Sequence, residues 1–298
     1  MIKVHILWKF NTVGGGGNQF LNTLRRSFRK NGVYEEEYSK ADVILVNSKD
    51  CLENAKDVKK RYGVKVVHRI DGIFSIYRGE HERYNDLKVY DFAKDYADGV
   101  VFQSIWSRDA SLKNGMMKHP KSVVILNCAD DEHFKNVARR DYNGKLKLVT
   151  SSWSSNPKKG LETYRFLDEK LDFNKLDYCF AGRCLVSFKN IKLKGILSSK
   201  ELANVLRSSD VFITATEDDA CSNSIIEALS CGVVAVGLNS GGTPEIITPN
   251  NGELFDNVDN VIETIDKTFE KMINGKYHIS VKTIEEVGKM YYDFMGEV

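Results

Sequence analysis

The chain has 298 residues, 42% of them hydrophobic and 28% charged, with a net charge of +2. That is apolar material for one large core or two ordinary ones, and it reads as a soluble globular protein. No stretch approaches the roughly 18 to 20 apolar residues of a membrane span, and the apolar part of "MIKVHILWKF" is too short for a signal peptide. The expectation is a cytoplasmic protein with at most peripheral membrane contact and no nucleic acid as partner.

The small net charge hides an asymmetry. Through residue 145 there are 26 Lys+Arg against 19 Asp+Glu, a balance of +7, and the remainder has 17 against 22, a balance of −5. Such a split points to two domains with different partners. The cysteines, Cys51, Cys128, Cys179, Cys184, Cys221 and Cys231, lack CxxC spacing and suit a reducing compartment.

In chain order, the first part alternates β-branched runs with helical patterns. The runs are "IKVHILW" (Ile2 to Trp8), "DVILVN" (Asp42 to Asn47), "VKVVH" (Val64 to His68), "GVVFQ" (Gly99 to Gln103) and "SVVIL" (Ser122 to Leu126). They suit buried parallel strands. After the first run comes "NTVGGGGNQF", a glycine loop that opens a helix with Phe20, Leu24 and Phe28 on one stripe. Backbone amides in such a loop can approach a phosphate or a sugar. Gly14 and Gly16 fit the first two glycines of GxGxxG, but Gln19 stands at the third, and no Gly-Lys-Ser/Thr follows, so neither the dinucleotide fingerprint nor the Walker loop is present. The third run ends in "VVHRIDGIF", which puts His68, Arg69 and Asp71 at a strand's carboxyl end; Arg69 and Asp71 equally suit a structural ion pair.

"RRDYNGK" (Arg139 to Lys145) reads as a linker with an Asn-Gly turn. Beyond it the alternation repeats with "LKLVT", "DYCFA", "VFIT" and "VVAVG". Two successive βαβ arrays imply two doubly wound domains, because parallel strands need crossover connections, with ligands bound beyond the strands' carboxyl ends. "SSWSSNPKKGLETYRFL" sets Lys158 and Lys159 near a helix N-terminus, where two cations beside free amides suit a diphosphate. Gly182, Arg183 and Gly195 follow further strands. "TEDDACSNSIIEALSCGVVAV" then links a strand to a helix beginning near Ser224. Ser224-Ile-Ile-Glu227 fits a capping box, with Glu227 facing away from the sheet, and Glu217 and Asp218 read as surface acids.

Taken in order, "GGGGNQF", "VVILNCADDEHF", "NPKKG" and "ACSNSIIEALSCGVVAVGLNSGGTPEII" resemble the motifs of the retaining glycosyltransferases of the glycosyltransferase-B (GT-B) fold, in particular glycosyltransferase family four (glycosyl transferases group 1). The resemblance covers nearly the whole chain. It implies an α/β protein of two Rossmann-like domains facing a cleft: residues 1–143 on the acceptor side, 144–283 binding a nucleotide-sugar, and a C-terminal helix, 284–298, crossing back to the first. It implies transfer from a UDP- or GDP-sugar to a glycan or other hydroxyl acceptor, with retention of configuration and no metal or cofactor. By the same analogy Gly15, Gly16, Lys158, Lys159, Arg183, Gly195, Ile196, Leu197, Asp219, Ser222, Asn223, Ser224 and Glu227 bind the donor. Within that set Glu227 takes the ribose hydroxyls, Lys159 the diphosphate and Gly195 to Leu197 the base. Asp71, His68, Asp219 and Lys159 are the catalytic candidates. Two departures stand out: Asp219 where the family has glutamate, and Trp153 where it often has arginine, which shifts charge neutralisation to Lys158 or Arg183. The alternatives are a non-catalytic sugar-nucleotide-binding protein and a nucleotide-sugar epimerase on the same scaffold.

Overall fold

The computed structural model describes residues 1–11, 15–137 and 144–298. Gly14 and most of the linker segment Arg139 to Lys145 lie outside the described residues. The chain forms two compact units, Met1–Cys128 together with Lys282–Val298, and Ala129–Val281.

The first unit runs β1 (Val4–Ile6), α1 (Gly16–Lys30), β2 (Val43–Asn47), α2 (Leu52–Tyr62), β3 (Lys65–Ile70), α3 (Phe74–Arg78), α4 (Arg83–Asp95), β4 (Gly99–Phe102), α5 (Ile105–Lys113) and β5 (Ser122–Val124). All five strands pair in parallel in the order β1-β2-β3-β4-β5. β2 and β4 are buried at every residue, as sheets covered on both faces require. Tyr34 forms a parallel bridge to Val4 on the outer edge of β1, so the chain first winds outward and then returns past β1 to β2. The winding therefore reverses between β1 and β2. At such a switch point the loops after the two strands diverge, and those loops are the glycine loop and the one beginning at Ser48.

The second unit runs β6 (Leu146–Ser152), α6 (Leu161–Lys170), β7 (Leu176–Gly182), β8 (Lys192–Gly195), α7 (Ser199–Arg207), β9 (Val211–Thr214), α8 (Asn223–Ser230), β10 (Val234–Leu238), α9 (Thr243–Ile246), β11 (Gly252–Phe255) and α10 (Val261–Ile273). Its parallel order is β11-β10-β9-β6-β7-β8, with the reversal between β6 and β9. The loops that diverge there carry the lysine pair and the "TEDDACS" segment.

The last helix, α11 (Ile284–Glu297), belongs to the first unit and packs on α1. Ile284, Val287, Tyr291, Phe294 and Met295 join Phe20, Leu24 and Phe28 in one core beneath β1 and β2. Thr283 and Glu286 close a capping box at its start, two orphan donors satisfied reciprocally. No helix is long and apolar enough, among the described residues, to cross a membrane.

Candidate functional site

In the second unit three loops at the carboxyl ends of β6, β9 and β10 are tied together through backbone amides. The Glu217 amide donates to the Lys158 carbonyl (2.8 Å), the Asp218 amide to Ser240 Oγ (3.0 Å), and the Gly242 amide to the Asp219 carbonyl (2.8 Å). Two glycines permit this closeness. A Cβ on Gly160 (φ +79°) would lie 2.3 Å from the Ala215 carbonyl oxygen, and one on Gly241 (φ +62°) 2.5 Å from that of Asp219.

The result is an array of alternating charge. Lys159 Nζ lies 3.1 Å from Asp219 Oδ2, Lys158 pairs with Asp218, and Asp219 Oδ1 also accepts from the Cys221 amide (3.2 Å). All four side chains are between a fifth and a third exposed, so they remain open to a ligand. Asp218 is therefore part of the array, which corrects its reading as a surface acid. Beside Ser152, the Arg183 guanidinium stacks over the Trp153 ring at 5.1 Å, so a cation does stand next to the tryptophan found in the arginine's place. Gly195 ends β8 at the sheet edge, two strands from β6, with Ile196 exposed after it.

Helix α8 starts two residues earlier than the capping-box pattern requires. Ser222 is its N-cap and makes no side-chain cap; its Oγ instead meets Ser224 Oγ at 3.0 Å. This puts the Asn223 and Ser224 amides in the first turn, ahead of any acceptor within the helix. Glu227 does not reach back to the helix start. It is 9% exposed, and burial together with the nearby Asp130 carboxylate pushes its carboxyl up to about 8. The capping assignment fails because the helix register places Ser224 inside the first turn.

Among the described residues one cluster has metal-ligand spacing, Asp130, Glu132 and His133, with ligand atoms within 4.8 Å of one another. The acids of "TEDD" are not such a group, since Asp218 and Asp219 are taken by lysines.

In the first unit the "HRID" segment divides its roles. His68 is fully buried, bonds through Nε2 to the Ser48 carbonyl (2.7 Å) and packs edge-on to Phe92; burial lowers its pKa to about 4, so it is neutral and has no solvent access. Arg69 is also fully buried. Its guanidinium donates to Tyr291 Oη of α11 (3.1 Å), to Asn47, to Asn127 Oδ1 (2.7 Å) and to Asp71 Oδ1 (2.5 Å), and it lies over the Phe20 ring. Asp71 alone of the three is open, with a third of its side chain exposed. Ahead of α1, Asn18 clasps the start of the glycine loop, accepting from Trp8 Nε1 and the Asn11 amide and donating to the Asn11 carbonyl. Gly15 is the N-cap of α1 and Gly16 its first residue. The structure thus groups Lys158, Lys159, Asp219 and Ser222 to Ser224 in one unit and isolates Asp71, without His68, in the other.

Residues 187–286 match the family described as "Glycosyl transferases group 1". Among curated proteins, the chain is 24% identical over 183 residues to uncharacterized protein 356 of Sulfolobus islandicus rod-shaped virus 1, covering 55% of this chain and 51% of that protein. It is 28% identical over 103 residues to one of the subunits of human phosphatidylinositol N-acetylglucosaminyltransferase, covering 34% of this chain and 21% of that protein. The chain thus spans about half of the first relative's length and a fifth of the second's. Among solved structures, Anabaena HepE in complex with UDP-glucose superposes with a TM-score of 0.73 at 14% identity, covering 100% of both chains. That likeness, together with the two parallel Rossmann-like sheets and the α11 to α1 contact, establishes the GT-B fold.

Proposed function

This chain has the GT-B fold and carries a glycosyl transferases group 1 segment over residues 187–286, and from that premise we propose that it is a retaining glycosyltransferase using a nucleotide-diphosphate sugar. The observation that carries the reading is that the loop with Lys158 and Lys159 and the loop that opens α8 both follow the strands at the switch point of the second sheet. Two ammonium groups and a set of preorganised amides match a diphosphate, and they match it better as the leaving group gains negative charge.

Breaking the bond from the sugar to the diphosphate leaves positive charge on the ring and negative charge on phosphate. Lys159, Lys158 and the Asn223 and Ser224 amides would stabilise the second, with Arg183 on Trp153 as a further cation. Asp219 and Asp71 would accept hydrogen bonds from sugar hydroxyls. Glu227, buried and protonated near neutral pH, would bind the ribose diol. In this scheme the acceptor hydroxyl attacks the face the diphosphate leaves, and the departing phosphate takes its proton, so no metal is required. UDP-glucose, seen on HepE, is the first donor to try. None of the six cysteines is in a disulfide, which fits a reducing compartment.

A second reading has its own support. Asp219 is one methylene shorter than the family's glutamate and is engaged by Lys159, which favours a protein that binds a sugar nucleotide without transferring it. Melting curves against UDP-, GDP-, ADP- and dTDP-sugars test both. At least one donor should raise Tm, and the rise should be lost in Lys159→Ala. Transfer to added sugar acceptors, or slow donor hydrolysis, separates the enzyme from the binder. If no nucleotide-sugar shifts Tm, both readings fail.

A further inference from the structure

Around Asp71 the polar side chains form a closed ring in which every hydrogen bond runs from Arg69 toward Asp71. Arg69 is donor-only, so the atoms it meets on Asn47 and Asn127 are their carbonyl oxygens. That fixes both amides: Asn47 Nδ2 donates to Asp71 Oδ2 (3.0 Å), and Asn127 Nδ2 donates to Gln103 Oε1 (2.9 Å). Gln103 then turns its Nε2 to Asp71 Oδ1 (2.5 Å). Arg69 closes the ring by donating to the same Oδ1 (2.5 Å). Reversing any amide would set a donor against a donor, so the network itself dictates the orientation. The four supporting side chains are at most 5% exposed, and each comes from the carboxyl end of a different strand, β2, β3, β4 or β5, or the loop that follows it.

We propose that Asn47, Gln103 and Asn127 are positioning residues that present Asp71 as an acceptor-only carboxylate to one hydroxyl of a sugar bound by this protein. Asp71 receives three donors and no acceptor, so it meets the ring as a carboxylate with spare lone-pair capacity concentrated on Oδ2. Its charge is already balanced by Arg69 at contact distance, so a neutral O–H is the fitting ligand. A carbonyl, ether or phosphate oxygen would face a bare lone pair. The inference rests on the glycosyltransferase reading and assigns to the first unit a hydroxyl-recognition role carried by residues outside the donor-binding set that the resemblance implies.

The test is a substrate-hydroxyl cycle. Turnover is measured with UDP-glucose, or whichever of the UDP-, GDP-, ADP- and dTDP-glucoses raises Tm, using methyl glucoside as acceptor, and with monodeoxy analogues of both sugars. In wild type one deoxy position should lose at least about tenfold in kcat/KM, because a site built around a hydroxyl strongly rejects its absence. In Asp71→Asn and in Gln103→Met that same penalty should shrink to within about threefold, the other positions keeping theirs, with the Tm rise on UDP unchanged. Asn47→Ala gives a second route should Gln103→Met melt at room temperature. If the deoxy penalties are the same in wild type and variants, the inference is overturned while the donor reading stands. If no nucleotide-sugar raises Tm in wild type, the donor reading falls and this one with it.

Discussion

The two units solve opposite electrostatic problems at the carboxyl ends of similar parallel sheets. In the second unit, Lys158, Lys159, Asp218 and Asp219 are part-exposed and paired one to one, so each charge can exchange its partner at little cost. In the first, Arg69 is wholly buried and its N–H groups are spread over Asn47, Asn127, Asp71 and Tyr291, so nothing there can exchange without orphaning a group. The contrast separates a surface built to receive a charged group from one built to hold a single acceptor still.

The sharpest way to break that contrast is to remove one cation from each side. Arg69→Met leaves Asp71 without its counter-charge and two amide oxygens without a donor, and it should cost about 3 to 5 kcal/mol in urea unfolding. Lys159→Met should cost less than about 1 kcal/mol, since its pair is screened by water. A loss at Lys159 as large as at Arg69 would mean that the lysine turn holds the fold and not a ligand.

Function should reverse the ranking of harm. Lys159→Ala, folded at wild-type stability, should lower kcat/KM about 10²- to 10³-fold, the usual cost of deleting one donor to a developing anion. Steady-state rates on UDP-glucose, or on whichever nucleotide-sugar raises Tm, give the comparison, and a loss under about threefold would remove Lys159 from the phosphate site.

Glu227 sharpens the same comparison through pH. Folded, it keeps its proton to about pH 8; unfolded, it loses it at the ordinary carboxylate pKa. The folded state therefore binds the extra proton between those values, and stability should fall as pH rises through that window, by at most about 1.4 kcal/mol per pH unit. Glu227→Gln should flatten this limb and melt higher at pH 8. Ribose hydroxyls donating to the carboxyl favour its charged form, so nucleotide binding at pH 7 should release protons, measurable by calorimetry in buffers of different ionisation enthalpy. No release would place the ribose elsewhere.

How much of this was legible in the sequence follows from where the information sits. Apolar runs such as "VILVN" and "VFIT" announce buried strands because all their residues are covered. β8, "KLKG", is exposed at every residue, so it carries no run of covered apolar residues; its lysines, one of them paired with Asp177 of β7, suit an edge strand. The lysine pair and α8 were readable because each is one contiguous motif. The amide ring was not, since Asn47, Gln103 and Asn127 are single polar residues distant in sequence that only the strand order brings together. The common signal, a first amide residue where an apolar run ends, is visible in "VILVN", "VVFQ" and "VVILN" once the order is known.

Asp218 offers the finest test of the exchange idea. It sits at φ +52°, a left-handed conformation that asparagine tolerates, so Asp218→Asn removes the charge and keeps the turn. With both acids present the array of two lysines and two aspartates is neutral, and a diphosphate must compete with Asp218 for Lys158. A part-exposed pair contributes about 0.2 to 1 kcal/mol, so freeing Lys158 should tighten UDP binding up to about fivefold. The gain should fade with added salt, because the released ammonium is screened. Unchanged or weaker binding in Asp218→Asn would mean that Lys158 does not face the phosphates, leaving Lys159 and the α8 amides to hold them.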